Sequence, residues 1–213
     1  FASANDGSPR PYPEYARRPM VFDAARHSTL AASFLGTTIP ANTPGAQALR
    51  IALDTLFNHP NVGPFFGRQM IQRLVTSHPS PAYVARVAAK FNDNGAGVRG
   101  DLKAVWRAIL LDEEATGTAS LASPTHGKLR EPMLRHFQWG RTFGVESVAG
   151  TFKWAYDIDN PRYWYGQAPF YSPSVFNFFR PGYVPPGTAM AAAGATAPEF
   201  QIVNESTTSQ WIN

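Results

Sequence analysis

Three amphipathic helices are predicted between His59 and Leu111 from the spacing of the apolar residues. In each stretch apolar residues recur mostly at intervals of three and four, with polar residues between them, so one face can be buried and the other hydrated. The apolar faces comprise Phe66, Met70, Ile71, Leu74 and Val75 in the first helix, Val84, Val87, Ala88 and Phe91 in the second, and Leu102, Val105, Trp106, Ile109 and Leu110 in the third. Because the connections are short, we expect the three helices to pack as antiparallel neighbours.

Residues favoured at helix starts precede each of these helices. Asn61, Ser80 and Asp101 are N-cap candidates, since their side-chain oxygens can accept hydrogen bonds from free backbone N–H groups. Pro81 stands at the first position of the second helix, where a missing N–H costs nothing. The first helix is expected to end near Ser77, because the residue that follows it precedes a proline and disfavours helical geometry.

Further elements are predicted on both sides of this stretch. Residues 20–40 carry β-branched and aromatic residues around a short polar break, which favours a two-stranded hairpin or a pair of extended segments. A helix is predicted from Thr43-Pro44 to Asn58. The acidic run Asp112 to Glu114 is interpreted as a solvated helix boundary.

A fifth helix is predicted from about Lys128 to Gly144, with Pro132 in its first turn. Its inward residues should be Met133, Leu134 and Phe137, and Glu131 should pair with Arg135 at i, i+4.

The C-terminal third is rich in aromatic residues and proline. Residues 145–180 are expected to cover the helices or to line a groove, because so many aromatic side chains are costly to expose. One helical turn is predicted at Ser174 to Phe179, a linker at residues 181–197, and a last helix from Pro198 toward Trp211. The fold class is therefore mainly α: an antiparallel helix bundle with a short N-terminal β-hairpin and a long, irregular C-terminal cover.

These elements suggest a simple domain organisation. Residues 1–19 are interpreted as an extended lead-in, residues 20–144 as the helical bundle with its hairpin, and residues 145–213 as a cover and terminal helix of the same domain. The 44% apolar and 16% charged residues support a folded core rather than wholesale disorder.

Composition excludes some classes of function. The net charge is +4, but the basic residues are dispersed and no nucleic-acid-binding motif occurs, so a mildly basic surface is favoured and no nucleic-acid partner is predicted. The absence of cysteine excludes disulfides and thiolate sites. No membrane span or signal segment is recognised in the chain, which begins at Phe1 and is interpreted as a processed or partial product.

Five sequence blocks carry a resemblance to a known family. In chain order they are HPNVGPFFGRQMIQRLVTSHPSPAYVARVAAKF, GVRGDLKAVWRAILLDEEA, GKLREPMLRHF, GQAPFYSPSVFNFFRPGYVPP and APEFQIVNE. Together they resemble the C-terminal part of the bacterial domain-of-unknown-function 1800 family. The resemblance implies a mainly helical, generally exported protein, hence a periplasmic or extracellular location, with no established catalytic residues. The expected partner is another protein or the N-terminal half of the same protein.

Two groups of residues are candidates for binding. Arginines on helices that could pack together can clamp a carboxylate or phosphate, or can pair internally with Glu131 and Asp101, and internal pairing is favoured. These arginines are Arg68, Arg73, Arg86, Arg130 and Arg135, and all but Arg86 are named as candidate binding residues. Carboxylates among aromatic residues are typical of sugar-binding or glycoside-cleaving sites, although turn capping is favoured for them. This second group comprises Trp154, Asp157, Asp159 and Trp164.

No motif in the sequence requires a particular reaction. Residues 92–97 with Asp101 offer oxygen ligands but lack the glutamate of a calcium loop, so a helix end followed by an N-cap is favoured. The five histidines lack metal-ligand spacing, and serine-nucleophile and zinc-protease motifs are missing. We therefore predict no metal site and no cofactor, assign no catalytic residue, leave open whether the protein is an enzyme, and favour a non-catalytic binding or assembly module. The alternative is a hydrolase that acts on an extracellular polymer.

Overall fold

The computed structural model describes residues 22–146, 148, 165–167 and 171–212, and within them the protein is mainly α-helical. The chain divides into two compact units, residues 1–59 and 60–213. The predicted division into 1–19, 20–144 and 145–213 stays a prediction.

The first unit contains a β-hairpin followed by a helix. Its elements are a 3-10 turn at Ala24–Arg26, β1 at Ala32–Phe34, β2 at Thr37–Ile39 and α1 at Gly45–Asn58. The strands are antiparallel, and the two residues that join them, Leu35 and Gly36, have φ of 48° and 79°. Such positive φ values match the twist of a two-residue hairpin. The predicted hairpin and the helix after Thr43-Pro44 are both confirmed.

The second unit contains the remaining helices of the described residues. They are α2 at Val62–Leu74, α3 at Pro81–Asn92, α4 at Leu102–Leu110, α5 at Glu113–Thr116, α6 at Pro132–Thr142, α7 at Ala189–Ala192 and α8 at Glu205–Ile212, with 3-10 turns at Thr118–Ala122 and Pro198–Gln201. Within the described residues, no helix combines the length and apolar character that crossing a membrane requires.

The core of the second unit lies between α2, α3 and α4. Its fully or nearly fully buried residues are Ile71, Tyr83, Val87, Phe91, Val105 and Ile109. The predicted apolar faces therefore meet, although the antiparallel arrangement of the three helices stays a prediction. Leu74, Leu102 and Leu110 were expected inside but are about half exposed, because they lie at the margins of the buried stripe.

Two of the three predicted N-caps are confirmed. Ser80 Oγ accepts a hydrogen bond from the N–H of Tyr83 at 3.0 Å, and the Asp101 carboxylate accepts from the N–H groups of Lys103 and Ala104. The prediction for Asn61 was wrong: its backbone is already helical and its side chain makes no capping bond.

The C-terminal end of α2 also differs from the prediction. The helix stops at Leu74, three residues before Ser77. The helical ladder ends there, since the N–H of Thr76 donates to the carbonyl of Ile71, five residues back, and the N–H of Ser77 donates to the carbonyl of Gly127 at 2.8 Å.

Three predictions for the C-terminal half need correction. Leu134 and Phe137 do not face inward but are 49% and 47% exposed. The predicted turn of helix at Ser174 to Phe179 is an isolated β-bridge between Ser174 and Asn177, with Asn177 at a φ of 67° that a helix excludes. The last helix is split into the 3-10 turn at Pro198 and α8. Most of the predicted aromatic cover lies outside the described residues.

Candidate functional site

A groove of about 730 Å³ lies in the second unit, between the end of α2, the segment before α6 and one face of α6. Its described lining residues are Arg73, Leu74, Val75, Lys128, Arg130, Leu134, Phe137, Gln138, Arg141 and Thr142. A volume of this size is within the range of small-molecule sites. The residues from α6 lie on one face, since positions 134, 137, 138 and 141 are separated by three, four and seven residues.

The described lining of the groove carries four cationic side chains and no carboxylate. Two of these cations are already paired with buried acidic residues. Arg73 Nη1 lies 3.0 Å from Glu131 Oε1, and Lys128 Nζ contacts Glu199 Oε1. The positive charge of Arg73 and Lys128 is therefore largely neutralised inside the protein.

Each of the two carboxylates is fixed by a further hydrogen bond. Glu199 is only 1% exposed, and Ser77 Oγ donates to its Oε2 at 2.8 Å. Gln167 Nε2 donates to Glu131 Oε2 at 2.9 Å. A buried charge is tolerated when it is paired and hydrogen-bonded in this way. Glu131 was predicted to pair with Arg135; that prediction was wrong, because Arg73 of α2 takes its place.

The other two cations of the groove have no acidic partner in the described part of the chain. Arg130 and Arg141 are exposed, and neither forms an ion pair with another described residue. Arg130 Nη1 instead donates to Gln138 Oε1, which holds its guanidinium against α6. Gln138 and Arg141 are one turn apart on the same face of α6, and both arginines line the groove.

Beside these arginines the groove has an apolar strip. Leu74 at the end of α2 is 52% exposed, and Leu134 and Phe137 of α6 are about half exposed. The apolar strip and the arginines belong to one continuous surface, because Phe137, Gln138 and Arg141 share one face of α6. Such a combination can bind a ligand that is both apolar and anionic.

A buried polar network attaches the C-terminal segment next to the groove. Gln72 Nε2 donates to the carbonyls of Ser77 at 3.0 Å and Pro181 at 2.9 Å. Thr196 Oγ1 donates to the carbonyl of Ser77 at 2.7 Å, and the Thr196 N–H donates to His78 Nδ1 at 2.9 Å. Residues at and just after the end of α2 therefore form hydrogen bonds with Pro181 and Thr196, more than one hundred positions away.

Arg73 makes two further contacts with that segment. Its guanidinium carbon lies 4.1 Å from the centre of the Phe179 ring, which is a cation–π geometry. Its Nη2 donates to the carbonyl of Phe176 at 3.4 Å. Arg73 therefore serves mainly as a structural connector, in line with the internal pairing favoured for the arginines.

A second polar cluster lies between α3 and the segment that joins α4 to α5. Arg86 donates to both carboxylate oxygens of Asp112, at 2.8 and 2.7 Å, and to Glu114 Oε1 at 3.0 Å. The hydrogen bonds from Arg86 hold the pKa of Asp112 below its ordinary value of 3.8. Asp112 also caps α5 by accepting from the N–H of Glu114 at 2.9 Å. The interpretation of this acidic run as a solvated boundary was wrong for Asp112 and Glu114.

Tyr83 completes this cluster from inside the core. Its hydroxyl donates to the carbonyl of Ile109, and burial, followed by the nearby charges of Asp112 and Glu114, raises its pKa. The tyrosine therefore stays neutral and ties α3 to α4. Since every polar group of the cluster has a partner within it, we assign the cluster a structural role.

A histidine and a tyrosine contact each other at α6. Tyr165 Oη lies 2.9 Å from His136 Nδ1. Burial lowers the pKa of His136 and raises the pKa of Tyr165, so both side chains are held in their neutral forms. A neutral histidine that carries its proton on Nε2 can accept a hydrogen bond from the Tyr165 hydroxyl at Nδ1.

The structure brings two of the eight candidate site residues, Arg73 and Arg130, into the groove. Arg68 is exposed on α2 and does not belong to the groove lining; Arg135 is half-buried on α6 and also lies outside it. The other four candidates lie outside the described residues: Trp154, Asp157, Asp159 and Trp164.

Sequence reasoning missed Lys128, Gln138 and Arg141 as groove residues. The period of α6 contained a signal for Arg141, which follows Leu134 by seven residues and must share its face. No comparable signal existed for Lys128, whose place depends on the fold of the segment before α6. Among the described residues, no three histidine, aspartate or glutamate side chains cluster closely enough to hold a metal ion.

Comparisons with known proteins give one match. No curated protein and no solved structure matches the chain. Residues 9–213, nearly the whole chain, match the family described as "Protein of unknown function (DUF1800)", and the chain belongs to this family.

Proposed function

We propose that the protein is a non-catalytic binding or assembly module and that the groove beside α6 is its binding surface. The observation that carries the proposal is the pair Arg130 and Arg141, two exposed guanidinium groups without acidic partners among the described residues, next to half-exposed Leu134 and Phe137. Arginine and aromatic side chains on one surface are typical of protein interfaces. The partner is another protein or the N-terminal half of the same protein.

The acidic residues near the groove support a binding role over catalysis. A carboxylate that acts as a general acid, base or nucleophile must reach the substrate. Glu131 and Glu199 are instead buried, and a cation and a hydrogen-bond donor hold each of them. Their arrangement suits fold stabilisation.

We further propose that the protein is exported and works in the periplasm or outside the cell. The family resemblance supports this location, and a chain without cysteine is compatible with an oxidising compartment. An epitope-tagged copy expressed from the native gene in its own bacterium should fractionate with periplasmic or secreted markers. Recovery with cytoplasmic markers would contradict this location.

Capture of the natural partner tests the groove directly. The wild-type chain, the double variant Arg130→Gln/Arg141→Gln and the control Arg107→Gln are each purified with their bound proteins from the native bacterium. Arg107 is exposed on α4, outside the groove lining, so its substitution removes the same kind of charge elsewhere. We expect a stoichiometric partner with the wild type and the control, and its loss with the double variant. A partner that stays with all three chains overturns the assignment of the groove.

The alternative, a hydrolase acting on an extracellular polymer, predicts a different result. Purified protein would then release products from a polysaccharide or polyester. Its activity should disappear in Asp157→Asn/Asp159→Asn while the far-ultraviolet circular dichroism stays unchanged. Turnover with this dependence would favour the hydrolase, whereas its absence together with a groove-dependent partner favours the binding module.

A further inference from the structure

We infer that the groove binds an acidic peptide segment of the partner, in which a carboxylate meets Arg130 and Arg141 and a neighbouring apolar side chain packs on Leu134 and Phe137. This inference rests on the proposed function, since it specifies the ligand of the same groove. It is carried by the position of the two guanidinium groups and by the apolar surface beside them.

The first step concerns charge. Arg130 donates to Gln138 of α6, and Arg130 and Arg141 both line the groove, whose described lining holds no carboxylate. The buried carboxylates Glu131 and Glu199 are engaged by the other two cations of the groove, Arg73 and Lys128. An anion that enters the groove is therefore attracted to both Arg130 and Arg141.

The second step concerns the type of anion. Guanidinium groups bind carboxylates and phosphates with paired hydrogen bonds. The apolar strip distinguishes a peptide from a phosphate or a sugar chain. Leu134 and Arg141 are two helical turns apart, about 10 Å along the axis. Nearby side chains of one peptide, one apolar and one acidic, can reach both regions. A bare phosphate or a hydrophilic sugar chain leaves the apolar strip uncovered.

The third step concerns shape. The groove has walls from three separate segments: the end of α2, residues 128–130 and α6. Peptide segments commonly dock in grooves of this kind, whereas the plane of a lipid bilayer does not match a concave surface. The charge and the shape of the groove together favour a peptide over an anionic membrane surface.

An immobilised peptide library provides the test. Each short peptide combines one or two glutamates with one leucine or phenylalanine, at every spacing up to two helical turns, and a matched library carries glutamine in place of glutamate. The probes are the full chain, Arg130→Gln, Arg141→Gln, the apolar variant Phe137→Ser and the control Arg107→Gln. Inorganic phosphate and vesicles with anionic lipid serve as competitors.

We expect a subset of the glutamate peptides to bind the full chain and Arg107→Gln, and their glutamine counterparts to bind much more weakly. Substitution of either arginine by glutamine should weaken binding by about tenfold, as expected for the loss of a charge-assisted hydrogen bond. Phe137→Ser should weaken it as well, without changing the preference for glutamate.

Three results would overturn the inference. The first is equal binding of glutamate and glutamine peptides, the second is unchanged binding by both arginine variants, and the third is displacement of peptides by anionic vesicles at low lipid concentration. If no acidic peptide binds although the natural partner still requires Arg130 and Arg141, the peptide class is wrong and the binding module stands. If the natural partner stays bound to the double variant Arg130→Gln/Arg141→Gln, the proposed function itself is wrong.

Discussion

The hydroxyl of Ser77 donates a hydrogen bond of 2.8 Å to Glu199 Oε2, although 122 residues separate the two in sequence. The same carboxylate contacts Lys128 through its other oxygen. Glu199 thereby joins three distant parts of the chain: the end of α2, the segment that forms one wall of the groove, and the 3-10 turn after Ala197. The shape of the groove depends on this junction, because Lys128 belongs to its lining.

Removing the charge of Glu199 should strongly destabilise the protein. Glu199→Gln leaves Lys128, only 14% exposed, without its counter-ion, and breaking a buried pair from one side costs roughly 3–5 kcal/mol. The double variant Lys128→Met/Glu199→Gln should recover part of the loss, because no unpaired charge remains. Urea denaturation monitored by circular dichroism measures the free energy of unfolding of each variant.

Glu205→Gln provides the matched control for that series, since Glu205 is exposed on α8. Its free energy of unfolding should stay within about 0.5 kcal/mol of the wild type, as for ordinary surface substitutions. Strictly additive effects of the Lys128 and Glu199 substitutions would contradict a coupled buried pair.

Two glycine-to-alanine substitutions should have opposite effects. A Cβ at Gly67 of α2 would lie 2.9 Å from Cγ1 of Val87 on α3, and a buried β-branched side chain has little freedom to move. Gly67→Ala should therefore destabilise the protein by roughly 1–3 kcal/mol, the usual cost of overpacking.

Gly140 of α6 is the natural comparison for Gly67. The nearest atom to its added Cβ is Val145 Cβ at 3.9 Å, an ordinary contact. Gly140→Ala should stabilise the protein by about 0.5–1 kcal/mol through its higher helix propensity. Thermal unfolding of both variants decides the matter, and a stabilising Gly67→Ala would refute the close approach of α2 and α3.

The elements of the core were predictable because their signals are local. The spacing of Val87 and Phe91, the cap at Asp101 and the Ser80-Pro81 start each act within one or two turns of helix. The same local rule failed for Leu134 and Phe137, which continue the apolar period of α6 but line the groove. The period of apolar residues identifies the face of a helix that can be buried. Whether that face is buried depends on how other segments pack against it.

The polar partners were much harder to predict than the helices. Local spacing assigned Arg135 to Glu131, while the fold supplies Arg73, which is 58 residues away. Nothing in the sequence connects Lys128 with Glu199 or Arg86 with Asp112, because pairing over long separations depends on the tertiary structure alone. Arg73 and Arg130 of the groove could be named as candidates from the sequence, whereas Arg141 was missed, and only the structure shows that Arg73 is neutralised.

Asp112 should make the stability of the protein depend on acid. Arg86 lowers the pKa of Asp112 in the folded state, so the unfolded state binds the proton more readily. The stabilisation is present above the ordinary pKa of 3.8 and is lost as the pH falls below it. The difference in free energy of unfolding between the wild type and Asp112→Asn should therefore shrink below pH 3.8 and stay constant at higher pH.

Arg86→Gln checks the cause of that behaviour. Without the guanidinium the pKa of Asp112 should return toward its ordinary value, so the acid-dependent loss of stability below pH 3.8 should become smaller. Urea denaturation at a series of pH values in this range gives the change of the free energy of unfolding with pH for each variant. An acid dependence that is the same with and without Arg86 would show that this pair is not its source.

His136 should make stability depend on pH in a higher range. Burial lowers the pKa of His136 in the fold below its ordinary value of 6.5, so protonation favours the unfolded state. Stability should be complete above pH 6.5 and should decrease as the pH falls below that value. His136→Phe should remove this part of the pH dependence. Tyr165→Phe should retain most of it, since burial rather than the hydroxyl is the cause of the lowered pKa.

Thermal unfolding of the wild type, His136→Phe and Tyr165→Phe at a series of pH values is the measurement. If the unfolding temperature of His136→Phe falls with pH as much as that of the wild type, the effect belongs to another group.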